Sequence, residues 1–296
     1  MKRIVAPLAA LLTLLSSAPF AQKTVMEAPF SILGPENATI YTDIKAALKE
    51  KETVYKLNLN DQPIDTAKLF KKIGSFTNLQ VMSLANNNIH KLPEEMGKLN
   101  SLIYFSTRGN PIDTLPKSFG NLQNLMYLDL QNTNLDSIPH YFGYLYKLKI
   151  LHIQNNLKDT LRLSYALGYL SSLNDLLIYN SKIDSLPSDI GRLQKLKRLT
   201  IVQSSLTRLP YQVANIKSLQ YLILDNNKLS ELPEAIYHMK SLEYLSLRNN
   251  QLTRLPDSIC FLTNLQVLDI RGNGFSDYDA AVLKALLPKG CKVVHK

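Results

Sequence analysis

Residues 219–241, LQYLILDNNKLSELPEAIYHMKS, decide how the rest of the chain is interpreted. The next 23 residues, LEYLSLRNNQLTRLPDSICFLTN, repeat the same pattern position for position. Both segments read L-x-x-L-x-L-x-x-N-x-L-x-x-L-P-x-x-I, and so many matched positions at a fixed spacing indicate a structural repeat. We therefore expect each segment to form one turn of a coil.

The chemistry of the repeat predicts the path of the chain within one turn. Leu222 and Leu224 face one side of a short strand and Tyr221 faces the other. Asn227 stands where the chain leaves the strand, and its amide can satisfy backbone groups of neighbouring turns. Pro233 disfavours an α-helix on the return path, which predicts an extended or 3-10 outer segment. Because one turn cannot bury its leucines alone, stacked turns must share a core beside a parallel sheet.

The repeat pattern covers residues 54–273, which corresponds to about ten turns. It begins in a degenerate form at Val54, and from Leu79 onward it recurs every 23 residues, except for one interval of 25 residues after Leu148. The turn position always holds a side chain that can form hydrogen bonds, and we assign this column a structural role. Its members are Gln62, Asn87, Asn110, Thr133, Asn156, Ser181, Ser204, Asn227, Asn250 and Asn273.

The longer turn, residues 148–172, departs from the pattern and lacks the Leu-Pro step. Residues 159–167 predict a short helix, with Asp159 or Thr160 as its N-cap. Two interpretations remain open. The extra residues are either a tolerated insertion on the outer side or a local change of curvature beside a binding site.

Both ends of the chain differ from the repeats. Residues 1–21 have a basic start, an uncharged apolar run and small residues at the end, which predicts a secretory signal peptide. Residues 22–53 predict an N-terminal cap with a helix near residues 42–50. Residues 274–296 predict a C-terminal cap, with a helix at Ser276–Leu287 and an edge strand at Lys292–Val294. Cys260 and Cys291 are expected on different sides of the coil, and therefore as free thiols.

This pattern identifies the chain as a member of the leucine-rich-repeat family, and its 23-residue Leu-Pro form resembles exported bacterial leucine-rich-repeat proteins. The resemblance implies an α/β solenoid, a horseshoe with parallel strands on its concave face. It also implies recognition of a protein partner on that face. Because few residues of this sequence lie outside the repeats, we expect no accompanying enzyme domain.

Motifs for catalysis, metal binding or phosphate binding are missing from the sequence. Ser106, Asp129 and His152 occupy the same position in three successive strands. A serine hydrolase needs its base between serine and acid, whereas here the aspartate lies in the middle. We therefore expect no enzymatic activity, cofactor or metal, and interpret the row as a binding surface with a hydrogen bond between Asp129 and His152.

The charge of the chain supports an alternative partner. Without the basic residues of the signal peptide, 32 Lys and Arg stand against 24 Asp and Glu. Arg192, Lys195, Lys197 and Arg198 crowd one turn, which would suit an anionic polymer, either an acidic polysaccharide or nucleic acid. The remaining basic residues are spread over many turns, as on a solvated surface. Nucleic acid is therefore not the expected partner, and a protein is.

The outward positions of the strands supply the predicted binding site. Exposed tyrosine and arginine on a rigid strand face resemble the composition of interface hot spots. The predicted concave-face contacts are Tyr104, Arg108, Tyr127, Asp129, Gln131, Ile150, His152, Gln154, Leu177, Tyr179, Arg198, Tyr221 and Tyr244. A rival apolar patch lies on the outer side around the irregular turn. It comprises Tyr141, Tyr144, Tyr146, Tyr165 and Tyr169.

Overall fold

A computed structural model describes Phe30 and residues 33–62, 64, 66–155 and 160–296. The expected signal peptide lies outside these residues, as do Asn156 and Asp159. In the described part, no helix has the length and apolar character needed to cross a bilayer.

The fold is a solenoid built on one long parallel sheet. Twelve strands of the described chain pair in sequence order, and a separate pair, β6 with β8, lies outside that sheet. The strands are β1 (Ile40–Tyr41), β2 (Lys56–Asn58), β3 (Val81–Ser83), β4 (Tyr104–Ser106), β5 (Tyr127–Leu130), β6 (Ser137–Ile138), β7 (Ile150–Gln154), β8 (Arg162–Leu163), β9 (Asp175–Tyr179), β10 (Arg198–Val202), β11 (Tyr221–Ile223), β12 (Tyr244–Ser246), β13 (Val267–Asp269) and β14 (Lys292–Val294).

The register of the sheet follows the period of the sequence. Leu222 pairs with Leu199 on one side and with Leu245 on the other, and all three side chains are fully buried. The same alternation in each repeat joins the inward leucines and isoleucines into one continuous core. The inward positions predicted from the repeat are thus confirmed.

Short 3-10 helices form the outer side of most turns, as predicted. Pro233 has extended dihedral angles (φ −64°, ψ 138°), and the helix begins at the next residue. Proline suits this boundary because it fixes φ and donates no backbone hydrogen bond. The 3-10 helices are Ile73–Ser75, Glu94–Lys98, Lys117–Asn121, His140–Tyr144, Tyr165–Tyr169, Ser188–Arg192, Tyr211–Asn215, Glu234–His238 and Asp257–Phe261.

The asparagine column forms the ladder expected from its chemistry. Asn227 Nδ2 donates to the carbonyls of Ile201 (2.7 Å) and Leu224 (2.9 Å). Its Oδ1 accepts from the backbone N–H groups of Ser204 and Leu206, both at 3.1 Å. The Asp225 carbonyl lies 3.2 Å from the same Nδ2, so one buried amide bonds to five backbone groups across two turns.

Three α-helices of the described chain complete the fold: α1 (Ile44–Lys49), α2 (Thr66–Lys72) and α3 (Asp277–Leu286). In α1, Asp43 is the N-cap and accepts from Ala46 N at 2.9 Å. Ser276 and Asp279 form a reciprocal capping box at the start of α3. The predicted terminal helices and the predicted edge strand β14 are therefore present, whereas α2 and β1 were not anticipated.

The irregular turn differs from its prediction. The prediction of a helix over residues 159–167 is wrong, because Arg162–Leu163 is extended and pairs in parallel with Ser137–Ile138. Arg162 N donates to the Asp136 carbonyl at 2.8 Å, so the inserted chain meets its backbone requirements by pairing. Ser164 then caps the 3-10 helix Tyr165–Tyr169 by accepting from Ala166 N at 3.1 Å.

Candidate functional site

The strand register aligns the predicted contact residues in rows across the concave face. One row holds Val81, Tyr104, Tyr127, Ile150, Asp175, Arg198, Tyr221, Tyr244 and Val267. The next row holds Ser83, Ser106, Asp129, His152, Leu177, Thr200, Ile223, Ser246 and Asp269. Both rows lie on the side of the sheet opposite the main core, as the alternation predicts.

The part of this face formed by β3, β4, β5 and β7 is buried, which corrects the prediction that its tyrosines are exposed. Tyr104 is only 1% exposed, and Tyr127 and Ile150 are similarly covered. Phe30 and Leu33, from the segment before the repeats, pack into the same apolar cluster. The Phe30 ring meets the Tyr104 ring edge to face, with 6.4 Å between the centroids. The chain itself therefore covers the apolar end of the predicted site.

His152 lies at the border of this cluster, and its hydrogen bonds differ from the prediction. Its Nδ1 is 3.1 Å from Tyr127 Oη and 3.1 Å from Gln131 Nε2. Asp129 instead accepts from the Ser106 hydroxyl (3.3 Å) and from Gln131 N (3.0 Å). The predicted Asp129–His152 hydrogen bond is wrong, because Asp129 bonds to Ser106 and Gln131 while His152 bonds through Nδ1 to Tyr127 and Gln131.

Burial dominates the electrostatics of these two groups. Loss of solvation raises the pKa of Asp129 to about 6, against the lowering influence of its hydrogen bonds and of Arg108. It lowers the pKa of His152 to about 4, and the nearby Arg108 charge acts in the same direction. His152 is therefore neutral at pH 7, with one ring nitrogen that accepts and one that donates.

The remaining part of the concave face, formed by β9, β10, β11 and β12, is more accessible, and we call it the open half. Leu177, Tyr179, Arg198, Tyr221 and Tyr244 are all half-buried there. The Arg198 guanidinium lies over the Tyr221 ring, 5.0 Å from its centroid. The centroid of that ring is 6.3 Å from the centroid of the Tyr244 ring. Aromatic side chains and an arginine thus form a continuous surface.

Asp175 is the acidic neighbour of this surface. Its Oδ1 is 3.6 Å from Arg198 Nε, and its side chain is largely buried. Desolvation raises the pKa of Asp175 to about 6, while the charges of Arg198 and Lys197 oppose that rise. The 3.6 Å separation is too long for a good hydrogen bond, so this ion pair leaves the arginine N–H unsatisfied.

Buried polar atoms without a hydrogen-bond partner occur at three places in the described chain: His152 Nε2, Arg198 Nε and Thr200 Oγ1. All three residues lie on the concave rows of β7 and β10, which flank β9. Buried polar groups in folded proteins are normally satisfied, so this concentration makes the strip between β7 and β10 a candidate ligand site. Sequence reasoning missed Thr200, although its place in the column after His152 and Leu177 was a usable signal.

The other predicted contacts border these two regions. Gln131 is buried beside His152, whereas Arg108 and Gln154 are half-buried. The described residues include no group of His, Cys, Asp or Glu that could hold a metal ion. Cys260 and Cys291 are free thiols.

The rival patch on the outer side is accessible. Tyr144 is 61% exposed, and Tyr146, Tyr165 and Tyr169 are also exposed. Tyr141 differs, because its hydroxyl donates to the Leu115 carbonyl and its ring packs against the core. Tyr165 and Tyr169 lie on the same turn and meet edge to face, with 6.1 Å between their ring centroids, while Tyr144 and Tyr146 lie on the preceding turn.

The basic turn is partly neutralised by acidic neighbours. Arg192 Nε lies 3.2 Å from Asp189 Oδ1, and Arg198 pairs with Asp175 as described above. Lys195 and Lys197 are exposed. The four basic residues therefore do not act as one uniform positive patch.

Family comparisons agree with the architecture. A model described as a leucine-rich repeat region matches residues 44–179 and 148–246, and a model of two leucine-rich repeats matches residues 240–284. The chain therefore belongs to the leucine-rich-repeat family. It has no significant sequence match among curated proteins.

Solved structures of similar fold come from several kinds of protein. A TDR receptor is 27% identical with a TM-score of 0.64, covering 75% of this chain and 40% of its own. The octameric complex of latrophilin 3, Unc5D and the leucine-rich-repeat protein FLRT2 gives 24% identity and a TM-score of 0.65, covering 81% and 82%. An internalin of Listeria monocytogenes is 17% identical with a TM-score of 0.58, covering 83% and 81%.

Proposed function

We propose that this chain is an exported, non-enzymatic module that binds a protein partner through the concave face of its repeats. The observation that carries the proposal is the surface of the open half, where Arg198 stacks over Tyr221 beside Tyr244. Tyrosine and arginine held on a rigid scaffold are enriched at interface hot spots. Because these side chains are already ordered by their neighbours, binding would cost little further side-chain entropy.

The contacts within this face have different roles under the proposal. Leu177, Tyr179, Arg198, Tyr221 and Tyr244 touch the partner directly, since they are accessible. Tyr104, Tyr127 and Ile150 support that surface from beneath the Phe30 segment. Arg108, Asp129, Gln131, His152 and Gln154 form the border between the two regions.

The solved neighbours offer a parallel for the class of partner. FLRT2 appears in a complex with latrophilin 3 and Unc5D, which are proteins. The ectodomain of the plant receptor kinase GASSHO1/SCHENGEN3 appears in complex with Casparian strip integrity factor 2. These assemblies support a protein partner for this chain by analogy of fold alone.

Export is the second element of the proposal, and it rests on the sequence of residues 1–21. After cleavage, the mature chain would be secreted, periplasmic or held at the cell surface. Terminal sequencing of the protein recovered from an expressing cell tests this element, and a retained residue 1 would contradict it.

Retention of a partner tests the binding proposal. Residues 22–296 are immobilised, exposed to extracellular and host protein mixtures, and the retained proteins are identified. We expect Tyr221→Ala and Tyr244→Ala to reduce retention by about tenfold or more, as hot-spot substitutions do. The matched variants Tyr144→Ala and Tyr165→Ala, on the outer side, are expected to bind normally with an unchanged melting temperature. Loss of retention only in the outer pair would contradict the proposal.

The binding of an anionic polymer is the competing function. Ion pairing of Arg192 and Arg198 weakens its basis, as the distances to Asp189 and Asp175 indicate. Binding that falls steeply with added salt, with the slope expected for several phosphate or sulfate contacts, would favour this alternative.

A further inference from the structure

We propose that the strip formed by β7, β9 and β10 binds an acidic segment of the partner, with His152, Thr200 and Arg198 donating hydrogen bonds to its carboxylate groups. This inference rests on the proposed function and names the chemistry that the partner would bring to the concave face.

The hydrogen-bonding state of His152 identifies the first donor. Gln131 Nε2, an amide nitrogen, can only donate, so His152 Nδ1 accepts from it at 3.1 Å. The neutral ring therefore carries its hydrogen on Nε2, which has no partner although the residue is only 7% exposed. A buried N–H in this state requires an acceptor, because an unsatisfied buried donor costs free energy.

Two further donors lie on β10. Thr200 is 3% exposed, and its hydroxyl has no hydrogen-bond partner. Arg198 Nε is also unpartnered by a hydrogen bond, and a guanidinium can only donate. All three unsatisfied atoms can thus donate, so that a ligand rich in acceptors suits the site.

The sheet register places these donors on one strip of the concave face. His152, Leu177 and Thr200 follow one another in the same row. With neighbouring strands about 4.8 Å apart, the Cα atoms of His152 and Thr200 are about 10 Å apart. Leu177 between them is half-buried, so the strip has a partly accessible apolar floor with a buried donor on each side. An extended peptide crossing these strands would place successive acceptors along this strip.

The local charges favour carboxylates over cationic groups. Arg108 is close enough to lower the proton affinity of His152, and Arg198 and Lys197 lie beside Asp175. The Asp129 carboxylate already accepts from Ser106 and Gln131, and the Asp175 carboxylate lies 3.6 Å from Arg198 Nε. A cationic ligand would meet one hydrogen-bonded carboxylate and one whose charge is already paired with Arg198, whereas an anionic ligand would gain charge-assisted hydrogen bonds from the unsatisfied donors.

Titration with defined peptides tests the site. The mature chain, labelled with ¹⁵N in its histidine rings, is titrated with acetylated hexaglutamate amide and with acetylated hexaglutamine amide. We expect the glutamate peptide to shift the His152 Nε2 resonance and to bind about tenfold more tightly than the glutamine peptide, because hydrogen bonds to charged groups are the stronger ones. Hexaglutamine with a free carboxyl terminus distinguishes a chain terminus from side chains as the source of the carboxylate.

Conservative variants keep the test specific. Thr200→Val preserves the shape of the side chain and removes the hydroxyl, so it is expected to weaken hexaglutamate binding by about fivefold or more. The exposed Thr253 provides the matched control, Thr253→Val, which should bind as the parent does. Equal affinity for the glutamate and glutamine peptides, or unchanged binding in Thr200→Val, would overturn the inference.

Retention of the partner by the Tyr221→Ala and Thr200→Val variants separates this inference from the proposed function. Retention that is lost in Tyr221→Ala and kept in Thr200→Val supports concave-face binding and contradicts the carboxylate site. Retention kept in both variants contradicts both. Retention lost in both, with a normal melting temperature, supports both.

Discussion

The rings of Tyr104 and Tyr127 lie nearly parallel, with 4.6 Å between their centroids and 8° between their planes. The two residues are paired across β4 and β5, so the sheet register brings the rings together. Offset aromatic pairs at such distances add to the stabilisation from burial alone. The stack forms the base of the apolar cluster on which Phe30 rests.

The cover over this stack leads to the first prediction. Phe30→Ala should expose Tyr104 and Tyr127 to solvent and let their phenols ionise more readily, because burial raises the pKa of both. Their rate of nitration by tetranitromethane should rise about tenfold for each unit by which the pKa falls. Mass spectrometry of the nitrated peptides measures this. Phe261→Ala, which truncates an exposed phenylalanine, is the control, and equal protection of Tyr104 in both variants would show that Phe30 is not the cover.

The asparagine ladder gives a prediction about stability. Asn227→Ala removes the hydrogen bonds donated to the carbonyls of Ile201, Leu224 and Asp225 and the two accepted from backbone N–H groups, and it leaves buried backbone groups unsatisfied. We expect the free energy of unfolding to fall by about 3 kcal/mol. Urea denaturation followed by circular dichroism measures it.

The control for the ladder is Asn264→Ala. That side chain donates one exposed hydrogen bond, to the Lys240 carbonyl, and its loss should cost less than about 1 kcal/mol. Equal destabilisation by the two variants would mean that the buried column does not carry the stability assigned to it.

Close packing between the outer segments gives a graded prediction. A Cβ atom at Gly168 would lie 2.3 Å from the Asp189 carbonyl oxygen, a backbone atom that cannot move aside cheaply. The same atom at Gly143 would lie 3.2 Å from Tyr169 Cβ, a much smaller conflict. Gly168→Ala should therefore destabilise by about 1–3 kcal/mol and clearly more than Gly143→Ala. Thermal melting of both variants shows which substitution destabilises more. A larger loss in Gly143→Ala would contradict the spacing between these turns.

The dependence of stability on pH tests the burial of His152 and Asp129. The pKa of His152 falls from 6.5 to about 4 on folding, so the unfolded state binds the extra proton and stability is lost as pH falls through this range. The pKa of Asp129 rises from 3.8 to about 6, so its contribution is full at low pH and is lost as pH rises through about 6. The two effects oppose each other in the parent chain. Each corresponds to about 3 kcal/mol over the full range.

Single substitutions separate these two effects. Relative to the parent, His152→Gln should gain stability as pH is lowered from 6.5 to 4, and Asp129→Asn should lose it. Chemical denaturation at half-unit pH steps measures both curves. Profiles parallel to that of the parent would mean that neither group is held in a desolvated environment.

The repeat period allowed the fold to be predicted in detail. The positions of Leu222, Asn227 and Pro233 define the strand, the ladder and the outer 3-10 segment, since each type of residue satisfies a local requirement of the turn. The same requirements recur in neighbouring turns, so an assignment that is ambiguous in one repeat can be made from the next. The terminal caps were also predictable, because Asp43 and Ser276 carry capping signals that act locally.

The candidate site could be predicted only in part. The register placed Tyr104, Tyr127 and His152 on the concave face, but their burial depends on Phe30, which belongs to no repeat. Periodicity carries no information about where such a segment packs. The hydrogen bonds of His152 were missed for a related reason, since neighbouring side chains of several lengths compete for the same ring nitrogen. The helix predicted in the irregular turn was wrong because strand pairing outweighed the local helix signals.

Photo-crosslinking from the concave face tests directly whether the partner binds there. p-Benzoylphenylalanine is introduced at Tyr221 on the open half and, in a separate variant of the mature chain, at Tyr144 on the outer side. Both variants are irradiated with the retained partner. We expect a covalent adduct with the partner from position 221 and none from position 144. An adduct from position 144 alone would contradict binding through the concave face.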